Sequence, residues 1–486
     1  MTQLTDTAVA RPVQRSKVAA TIARPTPADR ADAGKAARIG APLEGHEMFD
    51  PGAGRPDPVG LLQQQAASRM PDLVPVRYGR MLVSPFTYFR GAALPMACDL
   101  AGTPVSGITV QACGDAHLSN FGIFGSPERR LMFDVNDFDE TLQAPWEWDV
   151  KRLAASLEVA GRENGFSRKE RRAIVMACAG RYREAMRGFA GMTNLEVWYA
   201  RMDVDQARTQ LESQLTKRQR KAWAAGEAKA RTQDSMRALG KLTRTVDGRP
   251  RIISDPPLIT PLVDLLPADV DAAGSEAQLR ELLAKYTRTL ETDRRNLLEQ
   301  YEMADMARKV VGVGSVGTRC WIVLMFGRDD SDPLFLQVKE AERSVLSPAA
   351  HASRFANEGQ RVVAGQRLMQ ASSDIFLGWV RNPTGIDGRP HDFYVRQLRD
   401  WKFSLDIGAM LPGGMHLYGA LCGWTLARAH ARSGDRIAIA AYLGRSDRFD
   451  QAIARFAVAY ADQNERDHAA LAEAAASGRI TATPGL

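Results

Sequence analysis

The stretch RKVVGVGSVGTRCWIVLMFG, residues 308–327, sets Gly312, Gly314 and Gly317 between two segments of strand character. A G-x-G-x-x-G that follows a strand and opens a helix holds the pyrophosphate of a dinucleotide. Here a strand follows instead, so the dinucleotide fold is not expected. A glycine loop between two strands is the arrangement that lays backbone N–H groups over nucleotide phosphates in kinases. The turn RDDSDP then leads into another strand, LFLQVKEA, which carries Lys339 where a kinase has its phosphate-pairing lysine. Gly312, Gly314, Ser315, Gly317 and Lys339 are therefore the expected nucleotide-binding residues. Glu358, on a helical segment at about 349–371, is the expected partner of Lys339, with Glu340 and Glu342 also near it in sequence.

A second constellation supplies reaction chemistry. In VQACGDAHLSNFGIF, residues 110–124, Asp115 and Asn120 stand five apart on a loop leaving an apolar strand. The hairpin through RRLMFDVNDFD brings the chain back to Asp137. Phosphoryl transfer needs one carboxylate to take or orient the acceptor's proton, and a carboxylate plus an amide oxygen to hold Mg²⁺ on the phosphates. Asp115 is the candidate base, Asn120 and Asp137 the candidate metal ligands, and ATP with Mg²⁺ the implied cofactors. The local alternative is an Asx-rich turn that satisfies only its own backbone. His117 either contacts the reacting hydroxyl or is a hydrogen-bonded loop histidine. Asp149, in WEWDVKRLA, enters a helix and is read as a brace for the catalytic-loop backbone or as an N-cap, two roles that are compatible. Arg77, Arg80 and Arg90 precede the catalytic strand and are read either as phosphate or acidic-substrate contacts or as structural ion pairs.

These motifs stand in the reverse of kinase order, because the glycine loop and lysine follow the catalytic loop. A circular permutation reconciles them, and such permutations are tolerated where chain ends lie close together at the surface. The expected fold class is α+β, a protein-kinase-like two-lobe fold, circularly permuted. Residues 1–50, rich in Ala, Pro, Thr and Arg, are read as a flexible tail. Residues 51–250 would supply the catalytic loop, metal hairpin and large-lobe helices, and 251–300 a connecting segment with a long charged helix from about 275 to 305. Residues 301–405 would form the small nucleotide lobe, and 406–486 the helices that complete the large lobe.

Composition narrows the class without naming it. Of 486 residues, 45% are hydrophobic and 25% charged, ordinary for a globular protein. The formal charge of +7 is mild for this length and does not indicate nucleic acid. No window is apolar enough to suggest a membrane span. Five scattered cysteines without metal-type spacing fit a reducing cytoplasm. The basic run LTKRQRKAW reads as a solvated helix face.

The segments RPDPVGLL, VPVRYGRMLVSPFTYFRGAA, CGDAHLSNFG, FDVNDFDETLQAPWEWDVKRLAAS, VGVGSVGTRCW, LFLQVKEA, GQRLMQ and WTLARAHARSGD closely resemble a bacterial family catalogued as domain of unknown function 2252. The resemblance covers about residues 55 to 475. GDAHLSN is also similar to the GD-x-H-x-x-N loop of aminoglycoside phosphotransferases. That similarity implies a kinase-like fold with Asp115 as base and Asn120 and Asp137 on metal. The expected partners are a nucleotide and an unidentified hydroxyl substrate, small molecule or protein. A pseudokinase scaffold without turnover and an AMP transferase remain open readings. A metallophosphoesterase is disfavoured, since the D-x-H of GDAH has no further histidine near it among the seven in the chain.

Overall fold

The computed structural model describes residues 24–205, 217–265, 272–385, 387–398 and 401–485. The chain opens with α1 (Pro27–Gly40), α2 (Pro58–Ala66), α3 (Val74–Met81), α4 (Pro85–Gly91) and α5 (Ala93–Ala101). Four short strands follow: β1 (Thr109–Ala112), β2 (Phe121–Gly125), β3 (Leu131–Val135) and β4 (Leu142–Pro145). They pair antiparallel as β1 with β4 and β2 with β3. Next come α6 (Trp146–Glu163), α7 (Arg168–Ala190), α8 (Asn194–Tyr199), α9 (Lys217–Arg231) and α10 (Ser235–Leu242).

The hairpin of β5 (Thr243–Val246) and β6 (Arg249–Ile252) leads to β7 (Ile259–Pro261), α11 (Ala272–Thr287) and α12 (Thr292–Leu298). Then β8 (Glu302–Lys309), β9 (Cys320–Phe326) and β10 (Pro333–Glu340) form an antiparallel meander, followed by α13 (Glu358–Met369). After β11 (Gly378–Asn382) and β12 (His391–Gln397), the chain ends in α14 (Pro412–Ser433), α15 (Arg436–Leu443) and α16 (Arg448–Ala476).

The described residues thus form a mixed α+β structure of two bodies of secondary structure. One is helical, with α6, α7, α14, α15 and α16 sharing a large apolar core that includes Leu157, Ile174, Leu426 and Phe456. Within it α7 packs closely on α14: a Cβ on Gly423 would lie 2.3 Å from the Cys178 carbonyl oxygen, so only glycine permits that approach. The other is a six-stranded sheet of order β11-β12-β10-β9-β8-β7. Side chains alternate across it. Trp321, Val323, Met325, Leu334 and Leu336 face Tyr286 of α11, Leu298 of α12 and Leu290 between them. Ile322, Leu324 and Phe335 face Ala238 and Leu242 of α10 together with Ile252.

Several expectations are corrected. The segment read as a tail is ordered from Pro27 on. Thr26 and Asp29 build a capping box, and Arg38 donates to the carbonyls of Ala441 and Tyr442 at 2.6 Å, which docks α1 on α15. Polar anchoring of this kind leaves no apolar period for a sequence reader to find. Residues 1–23 of the expected tail lie outside the described residues. The long charged helix stops at Thr287, resumes over Thr292–Leu298, and gives way to β8 at Glu302. A bulge between Met303 and Asp305 breaks the strand's alternation, which hides its period. The helix expected from 349 begins only at Glu358, where the Asn357 side chain caps it. Residues 251–300, read as a connector, add β7 to the sheet and α11–α12 to one of its faces.

A candidate catalytic cleft

The loop after β1 is held by a carboxylate from α6. Asp149 accepts the N–H groups of Cys113 at 2.6 Å and Gly114 at 2.9 Å. His430 of α14 approaches the same carboxylate at 3.0 Å, and its other ring nitrogen meets the Tyr182 hydroxyl at 2.8 Å. Asp149 is therefore the brace and not the N-cap, since Pro145 precedes α6. Gly114 has φ +85°, and a Cβ there would fall 2.3 Å from the Glu140 carbonyl oxygen. The turn that aims Asp115 thus needs glycine on both counts.

Asp115 Oδ1 receives Nε and Nη2 of Arg152, at 2.8 and 2.7 Å. Its Oδ2 accepts no hydrogen bond among the described residues and lies 3.8 Å from His117 Nε2. Asn120 donates its Nδ2 to the Asp115 carbonyl at 2.8 Å, which leaves Oδ1 for another partner. The Asn136 N–H donates to the Asn120 carbonyl at 2.8 Å and joins the loop to the returning hairpin. His117 is buried with Nδ1 unpartnered, and burial pushes its imidazole down to about 4, so the ring is neutral at neutral pH.

The small sheet contributes Lys339, 2% exposed, with Nζ 3.6 Å from Asp137 Oδ2 and in an ion pair with Asp139. The Tyr394 hydroxyl donates to the other Asp139 oxygen at 2.7 Å. Burial alone would neutralise Lys339, but the two carboxylates outweigh it and hold the ammonium charged well above its ordinary range. Burial likewise opposes ionisation of Asp137, and Lys339 with Arg396 reverses that and lowers its carboxyl. Burial and then the neighbouring Asp137 charge raise Asp139.

Gly312, Gly314 and Ser315 line the same cleft, a cavity of about 680 Å³ within the range of small-molecule sites. The glycine loop is tied to the N-terminal helices: the Met70 N–H donates to the Gly317 carbonyl at 2.8 Å, Arg69 to Val316 at 2.5 Å and Arg80 to Gly312 at 2.6 Å. Gly317 turns the loop at φ +89° and packs on Arg69.

The Glu358 expectation is corrected. Its carboxylate pairs with Arg361 one turn along α13, while Lys339 is taken by Asp137 and Asp139. Arg361 in turn donates to the carbonyls of Thr141, Asp139 and Glu342, linking α13 to the acidic segment through backbone. Glu340 is engaged by Arg319 and His391. Arg77 is buried behind the cleft and bonds Gln65 and the Gly91 carbonyl; of the three expected arginines, Arg90 lines the cavity. Asp139, Arg152, Arg69 and His430 were not singled out from sequence. Asp139 alone had a local signal, as the second aspartate of NDFDE.

Oxygen donors suit a hard cation, and a magnesium ion commonly takes only one or two carboxylates plus substrate phosphates. Asn120 and Asp137 fit that pattern. Among the described residues no group of three or more His, Cys, Asp or Glu is placed to hold a metal by itself. No helix of the described residues is long and apolar enough to cross a membrane.

Fold and site together define an α+β protein with a polar cleft between a small antiparallel sheet and a braced loop. Over residues 69–474 the chain matches the family described as uncharacterized protein conserved in bacteria, DUF2252, and it belongs to that family. No curated protein and no solved structure matches it.

Proposed function

We propose that the protein is a Mg-ATP-dependent phosphotransferase of kinase-like type, circularly permuted, acting on a hydroxyl. One observation carries the reading: Lys339, from the strand after the glycine loop, stands 3.6 Å from Asp137, from the hairpin after Asp115 and Asn120. Chance turns far apart in sequence have no reason to converge in this way. The permutation is supported by the end of α14, where Ser433 Oγ accepts the Gln111 N–H at 3.2 Å. The helix that precedes the catalytic loop in a kinase would thus lie against the strand that leads into it here.

In this reading Asp115 Oδ2 takes the acceptor's hydroxyl proton, while Arg152 fixes the carboxylate through Oδ1. The acceptor oxygen bonds to the γ-phosphorus as the bond to the β-phosphate oxygen breaks, and ADP leaves with the electron pair. Lys339 and the N–H groups of residues 312–315 hold the phosphates. Asn120 and Asp137 would hold Mg²⁺, which would neutralise phosphate charge. Neutral His117 contacts the acceptor beside Asp115.

A second reading, nucleotide binding without turnover, is favoured by the closure of Lys339 onto Asp139, which engages the lysine before any phosphate arrives. Calorimetry with Mg-ATP, and turnover assayed with γ- and α-labelled ATP, separate the readings. Wild type is expected to bind, and Asp115→Asn to bind but lose at least a hundredfold in turnover. Asp137→Asn and Lys339→Met are expected to weaken binding, with folding checked by circular dichroism because each leaves a buried charge. Absence of nucleotide binding by the wild type sinks the proposal; binding with no turnover favours the scaffold, and transfer of the α-label means AMP transfer.

A further inference from the structure

One wall of the cleft belongs neither to the small sheet nor to the catalytic loop. It is built by α2, α4 and α5, and it presents Arg69 and Arg90 to the cavity. Arg69 is 6% exposed, its Nε is unpartnered, and its Nη1 donates to the Val316 backbone carbonyl. Arg77, fully buried behind it, leaves Nε and Nη1 unpartnered and bonds only neutral acceptors. Arg90 makes no ion pair or hydrogen bond among the described residues, and its buried Nε is also unpartnered.

Three guanidiniums without a hydrogen-bonded carboxylate are costly to bury, because the acidic groups that act on them, Glu140 and Glu342 on Arg69 and Asp115 on Arg90, make no direct ion pair with them. Unpaired polar groups of this kind in a native cleft call for a missing partner. Their position says which one. Arg90 feels the Asp115 charge, and its carbonyl oxygen stands 3.2 Å from where a Cβ of Gly314 would be. It therefore stands between the candidate base and the glycine loop, in reach of an acceptor whose hydroxyl sits at Asp115.

We propose that the acceptor is an anionic small molecule, a hydroxyl compound that also carries a phosphate or carboxylate, held by Arg90 and Arg69 with its hydroxyl at Asp115. This rests on the phosphotransferase reading for the acceptor's role, though the anion site can be tested without it. Two-pronged guanidinium donors suit both oxyanions. A polymeric protein acceptor is disfavoured because the arginines sit on the inner wall of a cavity.

The experiment titrates the full chain with inorganic phosphate and, separately, citrate, each with and without a non-hydrolysable Mg-ATP analogue. Wild type is expected to bind one of the two anions in both conditions, and the stronger anion identifies the acceptor's charged group. Arg90→Gln should weaken that binding at least tenfold, Arg90→Lys less, and Arg69→Met should weaken it too. Affinity for the ATP analogue should change less than twofold in Arg90→Gln. The proposal is overturned if neither anion binds at millimolar concentration, or if Arg90→Gln leaves anion affinity unchanged. Competition between anion and analogue also overturns it, because the arginines would then serve the nucleotide's phosphates. If anion binding depends on Arg90 but no nucleotide binds, the acceptor role and the transferase reading fail together and the anion site stands.

Discussion

His46 shows how far a single side chain's behaviour depends on remote parts. It is fully buried, with Nε2 2.5 Å from the Tyr442 hydroxyl, and that hydroxyl donates to the Ala41 carbonyl at 2.7 Å. Burial, and then the charge of Lys151, push its imidazole down to about 3. The folded value lies below the ordinary 6.5, so folding favours the neutral ring. The stability this confers is complete above pH 6.5 and is lost as pH falls toward 3, on the order of 5 kcal/mol in all. Urea midpoints measured from pH 8 down to pH 4 should therefore fall more steeply for wild type than for His46→Gln. Equal slopes would mean the ring is not held neutral. Asp149 is the contrasting case at the same scale. Its position at the start of α6 was legible, but its choice between cap and brace depended on where the ends of β1 and α14 came to lie.

At the scale of elements, regular local patterns were readable and anchored or interrupted ones were not. The apolar periodicity of α6 and the Ser167–Glu170 capping box of α7 were visible, and both helices form. The first part of β8 was read as helix because a bulge and a charged composition mask its alternation, and α1 was missed because arginine-to-carbonyl bonds hold it instead of an apolar stripe. The packing of α7 on α14 adds a constraint that no periodicity reveals. Gly423→Ala should lower stability by about 1 to 3 kcal/mol through overpacking against Cys178, as read by thermal or urea unfolding. A change under a few tenths of a kcal/mol would mean the helices can part there without cost.

At the scale of the whole molecule, three walls meet at one cavity: the small sheet with its glycine loop, the braced loop with Asp115, and the helical wall with Arg69 and Arg90. A second polar recess, lined by Asn136, Gln366, Gln370, Arg396 and Lys402, holds only about 40 Å³, too little for a purine. The apolar face of the sheet nearest to it is covered by α10. The nucleotide of the proposed reaction therefore fits the larger cleft, unless the smaller one opens. In either case a ligand bound only to the folded chain stabilises it by about 2.7 kcal/mol at a hundred times Kd. Saturating Mg-ATP is expected to raise Tm of wild type by a few degrees in differential scanning fluorimetry and to leave Lys339→Met nearly unmoved. An equal rise in both would remove Lys339 from the nucleotide site.

The sequence by itself determined the polar constellations, because turn chemistry and strand alternation are local. Glycine at 114, the five-residue step from Asp115 to Asn120, and Lys339 on the strand after a glycine loop can all be read within a few residues of themselves. Only the tertiary structure decided their partners: Arg152 on Asp115, Asp139 on Lys339, Arg361 in place of a Glu358–Lys339 pair, and the unpaired arginines of the helical wall. Those choices turn on distance and burial between segments remote in the chain, and desolvation sets which buried charges need a neighbour of opposite sign.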